Sequence, residues 1–308
     1  MNLSCTKTID CKQGAIRAVR YNVDGNYCLT CGSDKKLKLW NPQKSLLLKT
    51  YGGHGDEVLD ASGSCDSSHI VSCSTDKSVI LWDVTTGQPI RRFRGHASAV
   101  KCVKFNEDSS IAVSGSKDNT VMCWDLKSRN NGPFQVLKEA KDCITSIQIS
   151  DHEILTGSVD CKIRIYDIRV GKIICDFLGE PITSVNFTKD GQCILASCVD
   201  DTLRLMDKDT GEMLGEFKGH TMKDFAIESI VSQNDTHVMS GSIDSAIYVW
   251  DLVSGVVTNK LIHPKIENRS YNVIYSLHGH PKRNEILSAS GNFIFMWEPE
   301  HRSEEQSS

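Results

Sequence analysis

The chain has 308 residues, 39% of them apolar and 24% charged, a composition typical of soluble globular proteins. At this length about three quarters of the unfolded surface can be buried, so neither disulfides nor a metal is needed to hold a core. The net charge of −4 argues against a general nucleic-acid binder, which is normally basic.

The first eleven residues, MNLSCTKTIDC, lack the apolar core of a signal peptide, and no apolar run approaches the ~18 residues of a membrane span. Thirteen cysteines, an odd number spread along the chain, point to a reducing compartment, cytoplasm or nucleus, with thiols free and mostly buried. Residues 11–50 carry Lys12, Arg17, Arg20, Lys35, Lys36, Lys38, Lys44 and Lys49 against Asp24 and Asp34. That local balance of +6 leaves −10 for the rest of the chain. It reads either as a solvated face or as a docking patch for an acidic partner. Cys28 and Cys31 form a CxxC inside the strand-like run YCLTC. Residues three apart on a strand face opposite ways, so the pair cannot converge on a metal.

From Trp40 onward the chain repeats. Trp40, Trp82, Trp124, Tyr166, Met206, Trp250 and Trp297 recur at intervals of 42, 42, 42, 40, 44 and 47 residues. Each is followed by an acidic residue or an amide: Asn41, Asp83, Asp125, Asp167, Asp207, Asp251 and Glu298. Six residues before it stands Asp34, Asp76, Asp118, Asp160, Asp200 or Asp244, with Gly291 in the seventh repeat. Gly87, Gly171, Gly211 and Gly255 fall five residues after it. Gly-His pairs put His54 and His96 28 residues ahead of their tryptophans and His220 30 ahead.

Each repeat reads as four short strands, in the third Val100–Phe105, Ile111–Ser114, Thr120–Trp124 and Phe134–Leu137. One such sheet cannot bury both its faces alone, whereas seven packed radially can. The expected fold is all-β, a seven-bladed propeller over residues 1–298 with a disordered acidic tail at 299–308. The polar end EPEHRSEEQSS cannot supply the last blade's outer strand. Cys5–Cys11, which has no other sheet to join, is expected to do so and to close the ring.

Several motifs look chemical and are discounted. Ser, His and Asp occur together three times at matching places beside a tryptophan, whereas a catalytic triad is needed once. His278-Gly279-His280-Pro281 and Asp151-His152-Glu153 fall where the first hairpin turns and are expected to be exposed. Gly52-Gly53-His54-Gly55 lacks the Lys-Ser/Thr of a phosphate loop. No strand has the basic, aromatic-studded pattern that stacks single-stranded RNA. An enzyme, a cofactor, a metal site and direct RNA contact are therefore not expected.

The Gly-His, Ser/Thr-Gly-Ser-x-Asp and Trp-Asp markers resemble those of the WD-repeat family over almost the whole chain. That resemblance implies a structural hydrogen-bonded tetrad wherever all four residues match. These are His54, Ser72, Asp76 and Trp82; His96, Ser114, Asp118 and Trp124; and His220, Ser240, Asp244 and Trp250. Repeats one, four, five and seven lack the histidine and should be less rigidly braced. By the same pattern two positions per blade face the channel end of the ring. The residue before the turn aspartate gives Ser33, Thr75, Lys117, Val159, Val199 and Ile243. The start of the inner strand gives Arg17, Leu59, Lys101, Thr145, Thr183, Glu228 and Ile274, with Glu57 alongside. Arg17, Lys101 and Lys117 would make one flank of that face positive. Val159, Val199 and Ile243 would make the other apolar, a combination suited to binding protein.

The segments GAIRAVRYNVDGNYCLTCGSDKKLKLWNP, SDHEILTGSVD, DKDTGEMLGEFKGH and VWDLVSG resemble the mitogen-activated protein kinase organizer (WD repeat-containing protein 83) subfamily, from which 125–145 and 256–285 diverge. The resemblance implies a monomeric, non-catalytic scaffold for the extracellular-signal-regulated kinase cascade. It also implies contact with an oxygen-sensing prolyl hydroxylase and with the catalytic-stage spliceosome. The alternative is a structural subunit of the spliceosome acting in pre-mRNA splicing.

Overall fold

The computed structural model describes residues 2–223, 225–265 and 273–300. Each repeat forms a four-stranded antiparallel sheet, and seven such sheets account for every strand among the described residues. The third blade comprises Val100–Phe105, Ile111–Ser116, Val121–Asp125 and Gln135–Leu137, close to the boundaries read from sequence.

Local chemistry sets the turns. The residue after the turn aspartate has positive φ in blades one to six: Lys35, Lys77, Asn119, Cys161, Asp201 and Ser245. A left-handed non-glycine residue costs roughly 1–2 kcal/mol. The preceding carboxylate offsets this by accepting the amide two residues on, as Asp76 does from Ser78 at 3.0 Å and Asp118 from Thr120 at 3.1 Å. On the outer hairpin Gly87, Gly171, Gly211 and Gly255 take the left-handed position themselves.

The ring closes as the sequence implies. Leu3–Asp10 pairs antiparallel with Phe293–Pro299, matching Ile9 with Ile294 and Cys5 with Trp297. Leu3, Ile9 and Cys11 are buried there. The last strand runs to Pro299, one residue past the expected domain limit, and the expected tail falls almost wholly on residues 301–308, outside the described residues.

The core is distributed between blades. Ile16, Val19 and Trp40 of blade one pack with Leu287, Ile294 and Met296 of blade seven. Ala18, Leu29 and Leu37 of blade one pack with Val58, Ile80 and Trp82 of blade two, and every other neighbouring pair shares a cluster of this kind. Each sheet thus contributes one face to each of two cores. Cys28 enters the first of these clusters and Cys31 the second, on opposite faces of one strand as expected. All thirteen cysteines are free, and Cys65 and Cys175 are exposed.

One irregularity positions the channel end. In every blade but the sixth, the inner strand carries a register shift at its second residue: Arg17, Leu59, Lys101, Thr145, Thr183 and Tyr275. A bulge of this kind re-aims one side chain. In blade seven the re-aimed residue is Tyr275. Ile274, expected at the channel mouth, is instead fully buried in the core between blades six and seven.

Candidate functional site

In blades two and three the four tetrad residues form a connected brace. His54 Nε2 lies 2.7 Å from Ser72 Oγ, which also accepts the Trp82 indole N–H at 2.8 Å, and His54 Nδ1 is 3.1 Å from Asp76. His96, Ser114, Trp124 and Asp118 repeat the arrangement at 2.8, 2.8 and 3.0 Å. Burial depresses the His96 pKa, keeping the ring neutral despite Asp118. Nδ1 then donates to the carboxylate, so Ser114 donates to Nε2 and accepts from Trp124. The aspartates also accept the Gly55 and Ala97 amides at 2.7 Å, which ties the interblade loops to the turns at the channel end.

Blade six departs from the expectation. Neither nitrogen of the buried His220 has a hydrogen-bond partner, and burial pushes its pKa down to about 4. Trp250 donates to the Lys218 carbonyl at 3.0 Å, and Ser240 to the Gly241 carbonyl. Asp244 is held by Tyr248 at 2.9 Å and Lys260 at 2.7 Å. Two causes are visible. His220 stands 20 residues before its serine, against 18 in blades two and three. The residue four after the aspartate is also polar here, Tyr248, where Ile80 and Met122 leave Asp76 and Asp118 free for histidine. The same position holds Arg164 in blade four and Arg204 in blade five, and each captures its own Asp160 or Asp200.

Two blades that lack the matching histidine still carry a brace, in blade seven a partial one, since His263 Nδ1 is buried there without a partner. In blade one Gln13 stands in for histidine, bonding Thr30 at 2.5 Å and Asp34 at 3.4 Å, while Thr30 accepts the Trp40 indole at 2.9 Å. In blade seven His263 Nε2 reaches Ser288 at 2.7 Å, and Ser288 accepts from Trp297 at 2.9 Å. Ser114→Ala should strand two buried partners and cost roughly 2–3 kcal/mol, whereas Ser240→Ala should cost under about 1 kcal/mol. Urea unfolding of the two variants measures the difference; equal losses would contradict the account of blade six.

The two families of channel-end positions are physically linked. The amides of Ser33, Thr75, Lys117, Val159, Val199 and Ile243 donate to the carbonyls of Ala15, Glu57, Ala99, Cys143, Pro181 and Thr221, just ahead of the inner strands or, in blade six, in the loop leading to one. Both sets therefore border one end of the channel, and Leu59 and Lys101 line its cavity of about 400 Å³. Lys101 and Lys117 are exposed. Arg17 is not a free charge, because it pairs with Glu57 at 3.0 Å and lies over the Tyr275 ring. Val159, Val199 and Ile243 are half-buried. Ile243 packs on Met222, Ile227 and Val273, and Phe225, exposed, sits edge-on to Tyr275 at 5.8 Å. Phe225 was not among the expected residues; the longer spacing before blade six is the signal that could have found it.

Inside the channel lies a charge network that the sequence did not suggest. Arg20, buried, bonds Asp60 at 2.9 Å and Glu228 at 2.9 Å, and Lys104 approaches Asp60 at 3.5 Å. Glu228 also accepts from Ser276 at 2.6 Å, so blades six, seven, one, two and three are joined around the ring. His280, expected in an exposed turn, is not exposed. The ring is buried, with Nδ1 accepting the Lys282 and Arg283 amides at 3.0 Å, so it organises a turn from within. Among the described residues no three His, Cys, Asp or Glu side chains are grouped to hold a metal.

Seven interlocked blades around a polar channel, with a partly basic and partly apolar loop face, define a WD-repeat β-propeller, a fold typical of non-catalytic protein-interaction scaffolds. The family model for the WD domain, G-beta repeat, matches residues 3–41, 45–83, 87–125, 132–167, 171–207 and 211–251, which takes in the seventh blade's outer strand, Leu3–Asp10, and leaves its other three strands outside. WD repeat domain-containing protein 83 of Rattus norvegicus is 61% identical over 294 residues, covering 96% of this chain and 91% of that protein. The Homo sapiens protein of that name is 58% identical over the same shares. The Dictyostelium discoideum homolog is 34% identical over 94% of this chain and 96% of its own length. The chain belongs to the WD repeat domain-containing protein 83 family of WD-repeat proteins.

Proposed function

We propose that this protein assembles signalling proteins on one rigid ring, the partners being members of the mitogen-activated, extracellular-signal-regulated kinase cascade. The observation that carries this reading is the divided channel-end face. Lys101 and Lys117 stand exposed on one side, and Val159, Val199, Ile243 and Phe225 form an apolar stretch on the other. Holding two partners there raises their effective concentration without new chemistry. An oxygen-sensing prolyl hydroxylase is a further partner in this reading, and the protein works in cytoplasm and nucleus.

A second reading makes it a structural subunit of the spliceosome, acting in pre-mRNA splicing. It draws on the basic first blade, where Lys12, Lys36 and Lys44 are exposed. The blade is less basic than its composition implies, because Arg20 is buried among carboxylates and Arg17 is paired.

Affinity capture with the full chain, with and without nuclease, separates the two. Lys101→Glu/Lys117→Glu should abolish kinase recovery while melting within about 1 °C of wild type, since both side chains are exposed. Recovery of splicing proteins instead, resistant to nuclease and to the double substitution, would favour the second reading.

A further inference from the structure

At the end of the channel away from the loop face, the main cavity continues into a smaller one of about 130 Å³. The two share Gln148, Asn186, Ile230 and His278 as lining residues. Lys104 lines the upper cavity and Lys189 the lower.

The hydrogen-bond donors here are fixed by the fold. His278 Nδ1 accepts the Tyr21 amide at 3.3 Å, so this nitrogen carries no proton and Nε2–H is the donor. Gln148 Oε1 accepts the Phe187 amide at 2.5 Å, which leaves both N–H bonds of its side chain without an acceptor among the described residues. Each orientation is set by a backbone group of the next blade and is present before any ligand arrives.

The charges point the same way. Arg20 and Lys104 balance Asp60 and Glu228, and both carboxylates are already engaged by Arg20. The Lys189 ammonium makes no ion pair with a described residue, while its backbone amide donates to Asp235 at 2.9 Å. Burial, and after it the charges of Arg20, Lys104 and Lys189, hold the His278 pKa well below its ordinary value. Arg283 and Glu285 also line the lower cavity and pair with each other at 3.0 Å, so the oriented donors and the Lys189 ammonium are what an acceptor-rich anion would meet there.

We propose that the lower channel binds a small phosphate-bearing anion through His278, Gln148, Lys104 and Lys189. The site is separate from the protein-binding face, and its occupancy would tie blades three, four, five and seven together across the channel.

Isothermal titration of the full chain with inorganic pyrophosphate at low ionic strength tests this. One saturable site is expected. Gln148→Glu keeps an acceptor for the Phe187 amide but replaces the donors with a charge, and Lys189→Gln removes an exposed cation. Each should weaken binding about tenfold or more. Lys189→Gln should melt like wild type, which separates loss of the site from loss of the fold. No saturable heat up to about 10 mM pyrophosphate would overturn the proposal. So would binding that both variants retain, which would belong to surface lysines elsewhere.

Discussion

Deleting residues 1–11 should lower the melting temperature by about 10 °C or more. The segment supplies the outer strand of the last blade, and Leu3, Ile9 and Cys11 are buried against it. Burying one aliphatic side chain contributes about 1.5–3 kcal/mol, so Leu3 and Ile9 alone account for roughly 3–6 kcal/mol. Deletion also exposes the ladder of Phe293–Pro299 and part of the cluster around Trp297. A loss of that size is a large part of the 5–15 kcal/mol typical of a whole domain. Thermal unfolding followed by circular dichroism checks it. Ile9→Ala, a milder change expected to cost about 2–4 kcal/mol, covers the case in which the truncated chain does not fold. Unchanged melting of both would mean that the ring does not depend on this strand.

Asp60→Ala should destabilise the protein by about 3–5 kcal/mol, because it leaves buried charge unpaired. Asp60 is buried, and it serves Arg20, Lys104 and the Val103 amide together. Burial opposes its ionisation, but Arg20 and Lys104 outweigh that penalty and hold its pKa below the usual carboxylate range. A carboxylate with a depressed folded pKa stabilises fully above its unfolded value near 4, and that contribution fades as the pH falls through the folded value. Urea unfolding at pH 7 should therefore show the full loss in Asp60→Ala. Toward pH 3 the gap to wild type should narrow. A variant as stable as wild type at pH 7 would remove the channel network from the list of what holds the ring.

The repeat register was legible because one aromatic position and one aspartate recur with little drift, and because seven incomplete sheets have a single economical way to bury both faces. The closing strand was legible because Cys5–Cys11 is strand-like and precedes the first inner strand, so it has no sheet of its own. Side-chain networks were less legible. The brace depends on geometry more than on residue type, so Gln13 and His263 fill the histidine's place while His220, with the right companions, does not. Two features bear on it: the spacing of histidine to serine, 20 residues in blade six against 18, and the residue four beyond the aspartate, where Ile80 and Met122 leave the carboxylate to the histidine and Arg164, Arg204 and Tyr248 take it. The channel network was hidden for another reason. Arg20 and Glu228 are 208 residues apart in sequence and meet because the ring closes.

Lysine cross-linking followed by mass spectrometry, on complexes captured with the full chain, measures directly which face holds the partners. Cross-links to partner proteins are expected at Lys77, Lys101, Lys117 and Lys141, which stand exposed in the loops and strand starts of the channel end. Cross-links gathered instead at Lys44, Lys127 and Lys189, in the turns of the opposite end, with the first group unmodified by partners, would contradict it.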